Sequence, residues 1–197
     1  MTEEMNAKII QHEKWLDSLR QEGEQLAVYG IDFRNYSLSG KYLEKAYLND
    51  CIYDGVILND TDFETSFMCM SSYKNTEIKR CNFRWVDLSY SCFLNARLIS
   101  VNFSKSDCTE VDFTNANIVS CKFSEANLYM ADFSNANLEG VTIIETHFDQ
   151  TILGGASMKK IKGIDKADFR SINIGTAKEP VMLEGEEARK WVELHSL

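Results

Sequence analysis

Every fifth residue from Phe33 to Leu153 is apolar, and almost always large, for twenty-five positions without a break. The series opens Phe33, Leu38, Leu43, Leu48, Tyr53, Leu58, Phe63, Met68 and closes Phe133, Leu138, Ile143, Phe148, Leu153; only Cys108 is small. A helix turns about 100° per residue, so a step of five scatters such a set around its axis. A strand alternates faces with period two, so an odd step throws successive members to opposite sides. The chain must instead change direction every five residues, each short side delivering one large group inward. A closed coil of such sides is a solenoid.

A second column supports this. Two residues before each large centre the side chain is Ala, Val, Ser, Thr or Cys in twenty-two of the twenty-five cases; the exceptions are the first three, Ile31, Tyr36 and Lys41. Residues two apart on an extended side share a face, so each side points one large and one small group inward. The position between them points outward and is often Asp or Asn, as in Asp62, Asn82, Asp87, Asn102, Asp107 and Asp112. Such residues beside a turn hydrogen-bond the local backbone, which accounts for the column without a calcium ladder or an acid–base pair.

Stretches such as Ala126-Asn127-Leu128, Ala131-Asp132-Phe133-Ser134-Asn135 and Ala136-Asn137-Leu138 resemble the A-[DN]-[LF]-x-x unit of the pentapeptide repeat family. The resemblance implies an all-β solenoid, a right-handed quadrilateral β-helix with four sides and twenty residues per coil, hence about six coils over 31–153. Stacked at that period, Phe33, Tyr53, Tyr73, Phe93, Phe113 and Phe133 fall in one column, and Leu43, Phe63, Phe83, Phe103 and Phe123 on the opposite side, with mainly aliphatic columns between. This sorting is the sequence's own support for the period.

Solenoid ends need caps. Residues 1–24 are read as an N-terminal capping segment with a helix over 2–22: Met5, Ile9, His12, Leu16 and Leu19 form the buried stripe, Thr2 is the N-cap, Gly23 ends the helix and Trp15 is partly buried. The register breaks after Leu153 at Gly154-Gly155, so 154–179 is expected to be an irregular final coil, with Ala167-Asp168-Phe169 and Ile172-Asn173-Ile174 one residue out of phase. Residues 181–197 carry a C-terminal helix with Ala188, Trp191, Val192 and His195 on one stripe; it either folds back as a cap or pairs with a second chain through Trp191, Val192 and His195.

Chemistry is not evident. Six cysteines lack CxxC spacing; Cys51, Cys81, Cys108 and Cys121 fall inward as small apolar residues, and Cys69 and Cys92 outward. His12, His147 and His195 are far apart, with His147 at an outward position, and no residue cluster has metal-ligand spacing. No catalytic residue, metal or cofactor is expected, because a rod filled by its own side chains lacks a concave site. No stretch of eighteen apolar residues and no signal peptide is present, so the expected location is cytoplasmic without membrane contact.

Function therefore rests on surfaces. A formal net charge of −9 argues against nucleic acid as a partner. Tyr47, Phe67, Met70, Trp85 and Tyr90, with Cys69, point outward together in the early coils and form a candidate interaction patch for another protein, unless the N-terminal helix or residues 23–30 cover them. Some members of the resembled family mimic duplex DNA, bind type II topoisomerases, protect them from quinolones and dimerise through C-terminal elements. That is the alternative reading here, and a basic belt of Lys74, Lys79, Arg80, Arg84 and Arg97 argues against it. A purely structural solenoid is the third.

Overall fold

The computed structural model describes residues 2–196. Met1, Leu197 and the side chain of Thr2, and with it the expected N-cap, lie outside the described residues. The chain runs α1 (Thr2–Asp17), then β1 (Ala27–Tyr29), β2 (Tyr47–Asn49), β3 (Ile57–Asn59), β4 (Glu77–Lys79), β5 (Arg97–Ile99), β6 (Asn117–Val119), β7 (Asn137–Glu139), β8 (His147–Phe148), β9 (Thr151–Ile152), β10 (Ser157–Lys159), a short 3-10 turn (Ile164–Lys166), β11 (Asp168–Phe169), β12 (Ser171–Asn173), β13 (Met182–Glu184) and α2 (Gly185–His195).

These elements form a β-solenoid of about seven turns with a helix at each end. Strands β3 to β7 and β10 build one side as a parallel sheet whose partners lie twenty residues apart, as in Leu58↔Ile78↔Leu98↔Ile118↔Leu138↔Met158. Single parallel bridges at the same spacing stitch the other sides, for example Asp62↔Asn82 and Ser72↔Cys92. Each side ends in a left-handed residue, and the corner recurs every fifth position from Gly40 to Lys160.

The interior follows the columns. Rings stack face to face at 4.4–5.2 Å down Phe33, Tyr53, Tyr73, Phe93, Phe113 and Phe133. The opposite column, Phe63 to Phe123, meets the first edge to face at the axis, as in Phe93–Phe103 at 6.1 Å. Both are favoured aromatic geometries. Hydroxyls in the small column donate to backbone carbonyls, most of them across coils: Ser66 to that of Leu43 at 2.7 Å and Thr151 to that of Leu128 at 2.7 Å, whereas Thr76 and Ser106 bond within their own coil. Outward Asp and Asn cap the local backbone, Asp87 Oδ1 accepting the Ser89 amide at 3.0 Å and Asp132 Oδ1 that of Ser134 at 2.7 Å.

The ends differ from the sequence reading in three ways. The solenoid starts earlier, since Leu26 is buried and β1 pairs with β2. This, with the continuation at the other end, accounts for about seven turns in place of six. Second, α1 stops at Asp17, where Leu19 (φ 54°) and Arg20 (φ 71°) turn left-handed, leaving Leu19 83% exposed and not in the stripe. Gly23 still matters: a Cβ there would lie 2.2 Å from the Gln11 carbonyl oxygen. Third, the twenty-residue register does not break at Gly154-Gly155 but continues through Met158 and Lys162. The extra residue enters at the 3-10 turn, after which pairing is twenty-one apart, Phe169↔Phe148 and Ile172↔Thr151.

α1 docks through Met5, Ile9 and His12, and Lys41, one of the three irregular small positions, reaches Glu13 at 3.2 Å. Trp15 is half-buried and stacks on His12. α2 folds back as the other cap, burying Ala188 and Val192, and Arg189 donates to the carbonyls of Ile164 and Ala167. Where Leu153 and Ile143 end the two aromatic columns, an apolar void of about 30 Å³ remains beneath Val192 and Phe169.

Candidate interaction face

One side of the solenoid, here the β2 face, comprises residues 26–30, 46–50, 66–70, 86–90, 106–110, 126–130 and 146–150. Its outward central column is bridged in register, Ala27↔Tyr47↔Phe67↔Asp87↔Asp107↔Asn127↔His147. Pleating directs Leu48, Met68 and Leu88 into the core and their neighbours out. The five patch residues do come together around it. Tyr47 and Phe67 stack at 5.0 Å with planes 4° apart. Met70 and Tyr90 stand on the corner at one edge and Trp85 on the corner at the other. All five are 43–58% exposed, so neither α1 nor residues 23–30 cover them. Exposed Tyr42, Ile52 and Ile57 lie on other sides, singly.

Met70 (φ 56°), Trp85 (φ 60°) and Tyr90 (φ 62°) are held left-handed, a conformation that costs a bulky residue about 1 kcal/mol. Lys105 Nζ sits 4.9 Å from the Trp85 ring centroid. Tyr29, which lies before the five-residue series begins at Phe33, adds a 69% exposed ring to the same face.

The C-terminal candidates separate. Val192 is buried against its own chain, as the fold-back alternative has it; Trp191 is half-buried and His195 exposed, the two stacking at 4.1 Å. The basic belt is largely neutralised along the stack: Arg80 pairs with Asp60 at 2.6 Å, Arg84 with Glu64 at 2.7 Å, and Lys79 and Arg97 both with Glu77. His147 is a surface residue, as expected from its position, and pairs with Asp168 at 3.2 Å. Burial holds the thiols of Cys108 and Cys121 up at about 12 and that of Cys51 at about 11, and also raises Cys69 and Cys92. Thiols so protonated are poor nucleophiles. Among the described residues no His/Cys/Asp/Glu group is arranged to hold a metal, and no helix is long and apolar enough to cross a membrane.

A solenoid of four five-residue sides per turn is a narrow class, and the sequence comparison gives it a family. Residues 76–153 match the profile of the pentapeptide repeat region. The chain thus carries a pentapeptide repeat region, and its twenty-five tandem units extend the same five-residue pattern on both sides of the matched stretch. Among solved structures it is similar to QnrB1, a plasmid-mediated fluoroquinolone resistance protein, at 18% identity over 74% of this chain and 80% of that one, TM-score 0.55. It is also similar to the pentapeptide repeat protein Rfr23 from the cyanobacterium Cyanothece 51142, at 25% identity over 49% of this chain and 63% of that one, TM-score 0.38. HetL, involved in heterocyst differentiation regulation in the cyanobacterium Nostoc sp. strain PCC 7120, aligns at 11% identity over 82% of this chain and 94% of that one, TM-score 0.27. No curated protein matches the sequence.

Proposed function

We propose that this chain is a non-enzymatic protein-interaction module, cytoplasmic and without cofactor, that presents its β2 face to another polypeptide. The observation that carries the reading is the uncovered Tyr47–Phe67 stack, ringed by Met70, Trp85 and Tyr90, on a rod whose interior its own side chains fill. Clustered exposed aromatics mark contact surfaces. Three of these groups, Met70, Trp85 and Tyr90, pack into no core, so burial does not account for them. A homodimer through α2 would use Trp191, Leu194 and His195, since Val192 is committed to the core.

A photo-crosslinking residue placed at position 67, against one at Asn117 on another side, tests the reading in cells. Adducts from 67 alone are expected. Equal adducts at both positions, or none at 67, would overturn it.

The shared fold of QnrB1 favours a second reading, a DNA-mimicking ligand of a type II topoisomerase. It requires continuous exposed negative charge, which the paired Arg80, Arg84 and Arg97 interrupt. Gyrase supercoiling with quinolone, with and without micromolar protein, decides it; protection would support this reading and no effect would end it.

A further inference from the structure

The β2 face differs from the other sides in charge as well as in apolar content. None of the chain's 21 Lys and Arg falls on it between Leu26 and Gln150. Each other side carries them: Arg34 and Lys74 on one, Lys79, Arg80 and Arg97 on the next, Lys41, Arg84 and Lys122 on the last. The β2 face does carry acids, Asp50, Asp87, Asp107, Glu110 and Asp149, and none of them has an ion-pair partner among the described residues. The two characters are also ordered along the axis. Tyr47 and Phe67 occupy the earlier coils of the central column, and Asp87 and Asp107 the next two.

Building on the interaction reading above, we infer that the occupant of this face is a cationic amphipathic helix of a partner protein, lying along the solenoid axis with its apolar residues over Tyr47 and Phe67 and its Lys or Arg side chains over Asp87, Asp107 and Glu110. The dimensions agree. The face is roughly three to four extended residues wide, about 10–13 Å at ~3.3 Å each, and a helix with side chains is about 10–12 Å across. From the coil of Tyr47 to that of Asp107 is three coil steps, about 14 Å at ~4.8 Å each, the length of about ten helical residues. Along the central column no cation opposes a basic partner; Lys105, on the corner beside Trp85, is paired with Glu125 at 3.2 Å, and the unpaired carboxylates of the face need no internal ion pair broken before they bind. The same absence of cations disfavours an anionic membrane or nucleic acid as the occupant.

The test uses the full chain and two synthetic amphipathic fourteen-residue helices, one of Leu and Lys and one of Leu and Glu. Binding is followed by amide chemical shifts, by Trp85 fluorescence and by titration at two salt concentrations. The Leu/Lys peptide is expected to shift resonances of residues 47, 67, 87, 90 and 107. Phe67→Ser should weaken it at least tenfold, and Asp107→Asn with Glu110→Gln several-fold with a smaller salt dependence. The charge-matched control on the neighbouring side, Asp112→Asn with Asp132→Asn, should leave affinity within twofold. An equal loss in that control would show attraction to the net charge alone and overturn the inference. Binding of the Leu/Glu peptide to the same face, lost in Phe67→Ser, would overturn the cationic class yet leave the interaction face standing. Binding of neither peptide to these residues would also overturn the inference, while the crosslinking result at position 67 decides the broader reading separately.

Discussion

Tyr53 and Tyr73 are buried in the aromatic column, yet neither hydroxyl has a hydrogen-bond partner among the described residues. An unsatisfied buried hydroxyl costs on the order of 1 kcal/mol or more. Tyr73→Phe should therefore stabilise the protein by about 1 kcal/mol in chemical denaturation, and a destabilised variant would show that the hydroxyl holds a partner. Tyr90 makes the opposite case at the surface. It is 58% exposed and left-handed at a corner, a conformation that Asn visits readily. Tyr90→Asn should raise stability by about 0.5–1 kcal/mol while reducing peptide affinity. A loss of stability would mean that the ring is structural. At this scale the sequence was highly legible: Phe33 through Phe133 and the small residues beside them occupy the places their spacing assigns. Tyr29 was not, because the first strand pairs through backbone geometry and Val28, only half-buried, is a weak signal of a repeat centre.

The elements at the two ends are held by quite different chemistry. His12 is buried under α1, where its Nδ1 accepts the Leu26 amide at 3.0 Å, and burial lowers its pKa below the ordinary 6.5 against the opposing pull of the Glu44 carbonyl and Glu13. Nδ1 must stay unprotonated to accept. As pH falls below about 6.5 the unfolded histidine binds its proton first, so stability contributed by this contact is present at neutral pH and declines on acidification. Amide protection across residues 5–16, corrected for the intrinsic pH dependence of exchange, should fall between pH 7 and 5, and His12→Asn should flatten that dependence. Both are compared in Glu44→Gln, since burial raises the Glu44 carboxyl and its protonation acts in the opposite sense. Unchanged pH dependence in His12→Asn would remove His12 from the account. At the other end, Val192→Asp places a charge against the core and should cost about 3 kcal/mol or more, seen as a lowered Tm. If Val192 instead joined two chains, Tm would hold and light scattering would show dissociation. The stripe of α2 was readable in the sequence; which surface it meets was not, because an apolar face is satisfied equally by its own chain or by another.

For the whole molecule, the surplus of acid is unevenly answered. Asp60, Glu64 and Glu77 are paired by the belt, whereas Asp87 and Asp107 are direct neighbours across coils with no cation on their face. Like charges facing across a ladder destabilise by roughly 0.2–1 kcal/mol, screened by salt. Asp107→Asn should thus raise Tm at low ionic strength, keep its acceptor for the Thr109 amide, and lose the advantage at high salt. An advantage that persists at high salt would point to packing instead. The sequence by itself determined a solenoid of five-residue sides and the outward direction of the patch residues, because a five-residue step must turn the chain to bury every large group, while the four columns came from its resemblance to the pentapeptide repeat family. Only the tertiary structure decided where the register truly breaks, that α2 caps its own chain, that the belt is neutralised, and that aromatics and unpaired acids share one face without Lys or Arg between Leu26 and Gln150. Those depend on contacts between residues twenty or more positions apart and at the two ends, where the local pattern no longer dictates the partner.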